Sequence, residues 1–296
     1  MIEKLKKLKV GKVISNPLMK NYTTYRVGGE ALAIVIPDNT ECLIKLLKYL
    51  DEKNIKRKII GNGSNLIFKD EKYDGVIIKL SEFNDIEIDG TVITVGVGYS
   101  LVRLCMKAAK LGLTGLEFAA GIPGTVGGAV FMNAGAYKSD MGYIVSEVKV
   151  IDENYNIKTL YNKDLDFHYR TSFLQKNPKY ICVEVKLVLK KGNSKAIMDV
   201  IEDRKQRRLM SQPLEYPSAG SVFRNPENDY AGRLIEELGY KGKNIGGAYV
   251  SEKHANFIVN KDNATATDVI SLITEIKDKV KEKYNIELKV EQEIVD

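Results

Sequence analysis

Lys58-Ile-Ile-Gly-Asn-Gly-Ser-Asn-Leu66 is the segment from which the rest of the chain is best read. Lys58-Ile-Ile60 has the short β-branched character of a strand, and Gly61-Asn-Gly-Ser-Asn-Leu66 is a polar loop attached to its end. Two glycines permit positive backbone angles, so successive N–H groups can converge on an anion. Asn62, Ser64 and Asn65 add side-chain donors, which suits a diphosphate. The loop has neither the Lys-Ser/Thr pair of a P-loop nor the spacing of the GxGxxG fingerprint. By itself it is equally compatible with a tight polar turn.

Outward from this loop, strand and helix signals alternate. Ala31-Leu-Ala-Ile-Val-Ile36 reads as a buried strand closed by Pro37. Thr40 to Lys53 sets Leu43, Ile44, Leu46, Leu47 and Leu50 on one helical face. Gly75 to Leu80 is a further strand, and Asp89-Gly90 between β-branched runs signals a hairpin over about 85–97. Ser100 is placed to cap a helix running to Lys110.

Between 112 and 136 the composition changes: seven of the 24 glycines fall here, together with Pro123. Such a stretch is neither one helix nor one strand, but loop, turn and close backbone approach. It holds Gly121-Ile-Pro-Gly-Thr-Val-Gly-Gly128 and continues through Asn133-Ala-Gly-Ala-Tyr137. Coming about sixty residues after an anion-ready loop, it is a second candidate for contact with a flat ligand or a phosphate.

Beyond it, Tyr180 to Lys190 alternates with Ile181, Val183, Val185, Leu187 and Leu189 on one face. A basic helix is expected from Ser194 to Leu209, and Pro213 to Gly220 interrupts the pattern. In it, Arg204-Lys-Gln-Arg-Arg208 has helical spacing and reads as a solvated face without assigned function. The last ninety residues read as a separate lobe. It contains a helix at Tyr230–Leu238 ending at Gly239, a glycine turn at 242–247 and a strand near Phe257-Ile-Val259. A capping box, Thr265-Ala-Thr-Asp268, precedes a long amphipathic helix through Val269, Ile270, Leu272, Ile273, Ile276 and Val280.

A chain of 296 residues is expected to fold as more than one lobe. Hydrophobic residues at 44% and charged residues at 28% are ordinary globular usage. No run reaches the roughly 18 apolar residues of a membrane span, and the basic start lacks the apolar core of a signal peptide. A cytoplasmic location without membrane insertion is therefore expected. Three separated cysteines (Cys42, Cys105, Cys182) and two histidines (His168, His254) offer neither a disulfide framework nor a Cys/His metal site, and no metal is expected. The net charge of +6 is well mixed along the chain. That fits an anionic small molecule as partner, and no nucleic acid is expected.

The two glycine loops resemble the flavin-binding fold of the vanillyl-alcohol-oxidase type. Taken in order from Asn21-Tyr-Thr-Thr-Tyr-Arg-Val-Gly-Gly29 to the last residues, the chain resembles the UDP-N-acetylenolpyruvoylglucosamine reductase family. The resemblance implies an α+β protein with an FAD-binding region at 1–205, in lobes of about 1–80 and 81–205. A substrate-binding domain at 206–296 follows, its last strand packing back on the FAD region. It further implies that Gly61, Asn62, Gly63, Ser64, Asn65 and Leu66 hold FAD together with Gly121, Ile122, Pro123, Gly124, Thr125, Gly127, Gly128 and Tyr137. Many relatives with this fold carry a histidine in the first loop that bonds covalently to flavin. Gly61 to Phe68 has none, so the FAD is expected to be non-covalent. NADPH is the implied co-substrate and a UDP-sugar the substrate, with a monomer expected. The direct run from Tyr180 to Lys205 leaves no room for the extra tyrosine-bearing loop found in part of the family, so the shorter type is implied.

The family's reaction residues fall on three segments. His168-Tyr-Arg-Thr-Ser172 resembles the segment whose arginine, here Arg170, faces the substrate carboxylate; a guanidinium offers it planar bidentate donation. Pro217-Ser-Ala-Gly-Ser-Val-Phe-Arg-Asn-Pro226 resembles the proton-donor segment. The residues alone leave Ser218 and Ser221 as rivals, and the resemblance selects Ser221, with Asn225 for substrate and Arg224 toward a diphosphate. Gly220 is expected to allow close approach there. The family pattern puts a glutamate at Glu291, working with Arg170 on the carboxylate, which suggests a protonated or strongly hydrogen-bonded carboxyl. Val290, Glu293 and Asp296 depart from the pattern around it, so Glu287 and Glu293 stay open as alternatives. Gly239 to Gly247 matches the substrate-lobe signature, in which Lys241 or Lys243 is available to phosphate. The glycine loops alone also accommodate an oxygen-using oxidase or a non-catalytic nucleotide-binding module, neither of which requires the ordered Arg170, Ser221 and Glu291.

Overall fold

The computed structural model describes residues 1–296, which form two compact units. One comprises Met1–Ser15, Ala33–Asn62 and Gly75–Gln206; the other comprises Asn16–Leu32, Gly63–Asp74 and Arg207–Asp296. Toward the C-terminus the changeover between units falls between Gln206 and Arg207. Two earlier segments, however, group with the C-terminal residues.

In the first unit a four-stranded sheet runs in the order Gly11–Ser15, Ala31–Pro37, Tyr73–Lys79, Lys56–Ile60. The first two strands pair antiparallel, whereas Lys56–Ile60 runs parallel to Gly75–Lys79. Parallel neighbours cannot be joined by a tight hairpin, so the chain must leave the end of Ile60 and return by a longer route. The polar loop at Gly61 begins that detour. Helix Thr40–Glu52 buries Leu43, Leu46, Leu47 and Leu50, and the Asn39 side chain caps it by accepting the Cys42 N–H at 2.9 Å.

A five-stranded antiparallel sheet completes this unit, in the order Ile157–Tyr161, Val145–Ile151, Ile181–Val188, Val92–Gly96, Ile86–Asp89. The hairpin expected at Asp89-Gly90 is present, with Asp89 opposite Val92. Ser100 caps helix Leu101–Lys110. The glycine-rich stretch is mostly turns, but it contains a six-residue helix, Val126–Phe131. Helix propensity disfavours its Gly127 and Gly128. Packing overrides that preference, since a Cβ on Gly127 would lie 2.7 Å from the Val97 Cβ.

The second unit has a three-stranded antiparallel sheet, Asn244–Ile245, Ala248–Val250 and Ile258–Asn260, with helices Ala231–Glu237 and Ala266–Tyr284. Its early segments are part of its core: Tyr25, Val27 and Ile67 are buried in one cluster with Val222, Leu234, Val269 and Ile273. The Tyr25 hydroxyl donates to the Ile258 carbonyl at 2.8 Å. Leu66–Phe68 pairs in parallel with Glu293–Val295, Leu66 facing Glu293. The Thr265/Asp268 capping box is formed, and Asp70 adds a second cap by accepting the N–H groups of Ala266 and Thr267 at 2.9 and 2.8 Å. No helix is long and apolar enough to cross a membrane.

Candidate functional site

In the first unit the two glycine segments meet. A Cβ on Gly61 would lie 2.5 Å from Thr125 Oγ1, so glycine at 61 is a condition of that approach. Thr125 uses the same oxygen to accept the Gly128 N–H at 3.3 Å, capping the short helix. Around it, Leu101 N–H donates to Gly124 O, Val126 N–H to Tyr99 O and Gly127 N–H to Val97 O. Ile122 and Gly124 also spend their N–H groups internally. The second segment therefore offers close backbone approach more than free donors.

The first loop is complementary. The N–H groups of Asn62, Gly63 and Ser64 have no partner in the chain, so three successive donors are open to an anion. Gly63 has φ +63, and a Cβ there would lie 2.5 Å from the Tyr22 carbonyl oxygen, so both conformation and space require glycine. Asn65 does other work: its Nδ2 donates to the Glu291 carbonyl at 3.0 Å, and its own carbonyl accepts the Glu293 N–H at 2.9 Å. Leu66 begins the strand that pairs with Glu293–Val295. The open donors of this loop suit the diphosphate of a flavin dinucleotide; in the first unit, the Gly61–Thr125 approach by itself suits a flat ligand, because it offers backbone without side chains.

Arg170, also in the first unit, sits at φ +54 in the tight turn closed by reciprocal His168–Thr171 hydrogen bonds. Three side chains that sequence reading did not single out fasten this turn. Asn133, only 2% exposed, donates to His168 O at 2.8 Å and accepts the Gly142 N–H at 2.9 Å. Ser172 and Gln175 both donate to Phe131 O, at 2.7 and 2.8 Å, and Gln175 also reaches Arg170 O. The arginine turn is thereby tied to the end of the glycine-bearing helix. Its guanidinium donates to Gly135 O at 2.7 Å and lies 5.1 Å from the Tyr169 ring centre. Tyr137 stacks under the Arg204 guanidinium at 4.7 Å and donates its hydroxyl to Arg204 O. Arg204 is thus not simply part of a solvated face, because the turn at Tyr137 (φ +54) brings an aromatic ring beneath it.

In the second unit Ser221 and Glu291 are neighbours through their backbones. The Glu291 N–H donates to Val222 O at 2.8 Å, and Phe223 and Val290 form an antiparallel bridge. Glu291 and Ser221 are half-buried, whereas Glu287 and Glu293 are exposed. The Ser221 hydroxyl makes no hydrogen bond within the chain. Gly220 has φ +75, and an added Cβ would meet nothing within 4 Å, so backbone conformation rather than close packing calls for glycine there. Two buried amides fix this arrangement, and neither carries a recognisable motif. Asn256 receives the Phe223 N–H at 2.9 Å, donates to Phe223 O at 2.8 Å, and accepts the Val222 N–H on its carbonyl. Gln292 donates to Gly220 O at 3.0 Å. The Asn256 N–H in turn donates to His254 Nδ1 at 3.1 Å, and burial pushes the His254 pKa below its ordinary value, helped by the charge of Lys241.

The residues expected at the substrate are distributed around this core. Asn225 spends its Oδ1 on the Ala231 N–H at 3.1 Å, at the start of helix Ala231–Glu237. Arg224 is half-buried, with its N–H donating to Lys289 O at 2.9 Å. Lys243 is exposed, its ammonium 4.1 Å from the Tyr240 ring centre, while Lys241 pairs with Glu236 at 2.7 Å.

Comparison with known proteins gives two family matches. Residues 31–160 match an FAD-binding domain, and residues 212–295 match the UDP-N-acetylenolpyruvoylglucosamine reductase C-terminal domain. The chain is 47% identical to the UDP-N-acetylenolpyruvoylglucosamine reductase of Anoxybacillus flavithermus over 294 residues, covering 99% of this chain and 97% of that one. It is 45% identical to the enzyme of the same name from Bacillus subtilis, covering 100% and 98%. Among solved structures it is similar to the UDP-N-acetylenolpyruvylglucosamine reductase of Thermus caldophilus, with a TM-score of 0.84 at 35% identity, over 96% of this chain and 99% of that one.

Proposed function

Because this chain belongs to the UDP-N-acetylenolpyruvoylglucosamine reductase family and is an FAD-dependent oxidoreductase, we propose that it reduces UDP-N-acetylglucosamine enolpyruvate to UDP-N-acetylmuramate for peptidoglycan synthesis, with NADPH as electron donor. The observation that carries this reading is the backbone junction of the Ser221 turn with the Glu291 segment, closed by the Glu291 N–H on Val222 O at 2.8 Å.

FAD, when bound, supplies the hydride. The chain's own residues do the remainder. The open N–H groups of Asn62, Gly63 and Ser64 hold the diphosphate, and with no histidine in that loop the cofactor is held without a covalent bond. The double bond of the substrate is conjugated to a carboxylate, so charge moves onto that carboxylate as hydride reaches the terminal carbon. Arg170 meets the growing charge and stabilises the transition state more than the ground state. Glu291 shares that carboxylate as a hydrogen-bonding partner. Ser221 then gives its proton to the carbon next to the carboxylate, completing the addition of hydride and proton across the bond. Arg224, Asn225 and Lys243 are proposed to hold the nucleotide-sugar.

An anaerobic visible spectrum tests the whole reading. The flavin band should bleach with NADPH and return with the enolpyruvyl sugar. Return only on admitting air would move the function to an oxidase, and a protein that takes up no FAD would overturn the cofactor.

A further inference from the structure

Gln292 stands next to the proposed catalytic carboxylate in sequence and is only 4% exposed. Its amide nitrogen donates to the carbonyl of Gly220, the residue before Ser221, at 3.0 Å, while its amide oxygen is buried and has no partner. A buried acceptor left unpaired is a standing cost to stability. An apolar side chain of similar size would avoid that cost, so the residue must be useful through its N–H donor.

The donor acts on one peptide plane. The Gly220 carbonyl and the Ser221 N–H belong to the same rigid unit, so fixing the carbonyl fixes where Ser221 starts. Gly220 itself restrains the plane little: at φ +75 it has the widest backbone choice of any residue, and an added Cβ would meet nothing within 4 Å, so no neighbouring group packs there. On the far side of Ser221, Val222 and Phe223 are held by Asn256 and by the Glu291 N–H. Gln292 supplies the missing restraint on the near side. We propose that Gln292 is a positioning residue that locks the Gly220–Ser221 peptide and so sets the reach of the Ser221 hydroxyl relative to Glu291. The inference rests on the reading of Ser221 as proton donor.

The test uses holoenzyme carrying Gln292→Met, which keeps length and apolar volume but has no donor, and Gln292→Glu, which regains one only when protonated. Flavin reduction by NADPH and reoxidation by UDP-N-acetylglucosamine enolpyruvate are followed separately under anaerobic conditions, from about pH 8 to about pH 5.5. Each rate is expressed relative to wild type at the same pH. In Gln292→Met, reduction should keep its wild-type rate, whereas reoxidation should slow by about 10- to 100-fold, the scale expected of a misplaced reacting group. Its solvent isotope effect on reoxidation should rise as proton delivery becomes limiting. Burial raises the pKa of a carboxyl, so Gln292→Glu should recover on acidification as its protonated form donates to Gly220 O. Reoxidation of Gln292→Met at the wild-type rate would overturn the proposal. So would equal impairment of both variants at every pH, which is what a packing role predicts. If wild type itself is not reoxidised by the sugar, the functional reading falls and the role of Gln292 falls with it.

Discussion

A serine hydroxyl is a weak acid, so its value as a proton donor depends on where it is held. Ser221→Ala should leave flavin reduction by NADPH intact while slowing substrate turnover by roughly 10²- to 10⁴-fold, the range for losing a general acid; stopped-flow traces of the two half-reactions check this. Gly61→Ala should push Thr125 off its cap on Gly128, which lies within the reach of that added Cβ. A lost cap costs about 1 kcal/mol of stability, measurable by urea unfolding. His254 gives a pH dependence. Its folded pKa lies below the unfolded value of about 6.5, so the folded state binds fewer protons in that range. Stability should therefore be complete above about pH 6.5 and fall as pH drops through the unfolded pKa toward the folded one. Urea titrations at several pH values should show this, and His254→Gln should flatten the slope. At this scale the sequence was legible where a residue type announces its backbone, as with Gly63 at φ +63. Asn133, Gln175, Asn256 and Gln292 were not legible, because an amide that clamps a distant backbone carries no local pattern.

Elements whose cause is local could be read directly. The leucine face of Thr40–Glu52, the cap at Ser100, the Asp89-Gly90 hairpin and the Thr265 capping box all depend on neighbours within a few residues. The helix Val126–Phe131 depends instead on Val97, and the strand Leu66–Phe68 on Glu293–Val295. Neither dependence leaves a mark in the local sequence. The start of helix Ala266–Tyr284 combines both kinds, since Thr265 caps it from within and Asp70 from far away. Thr265→Ala and Asp70→Ala should each destabilise by about 1–2 kcal/mol, as read by urea unfolding. Because the two caps serve neighbouring N–H groups, the double variant should depart from additivity.

For the whole molecule, the sequence conveyed an ordered series of motifs better than a division into units. No composition marks Asn16–Leu32 and Gly63–Asp74 as parts of the unit that holds Arg207–Asp296. That grouping follows from long-range burial of Tyr25, Val27 and Ile67. The proposed chemistry has its own signature at this scale. If NADPH leaves before the sugar enters, double-reciprocal plots of initial rate against one substrate at fixed levels of the other should give parallel lines. Each substrate in excess should also inhibit the other. Intersecting lines would require both to be bound together.

The parallel pairing of Leu66–Phe68 with Glu293–Val295 also bears on how the chain is made. Asn65 and Glu291, which flank that pairing, are separated by 226 residues. At roughly 5–20 residues per second, a ribosome needs about 10–45 s to cover that distance. Throughout that interval Leu66, Ile67 and Phe68, all buried in the finished protein, lack the strand they pair with. The nascent chain thus carries an open apolar edge of the kind that recruits holding chaperones and promotes aggregation, and slower translation lengthens the exposure.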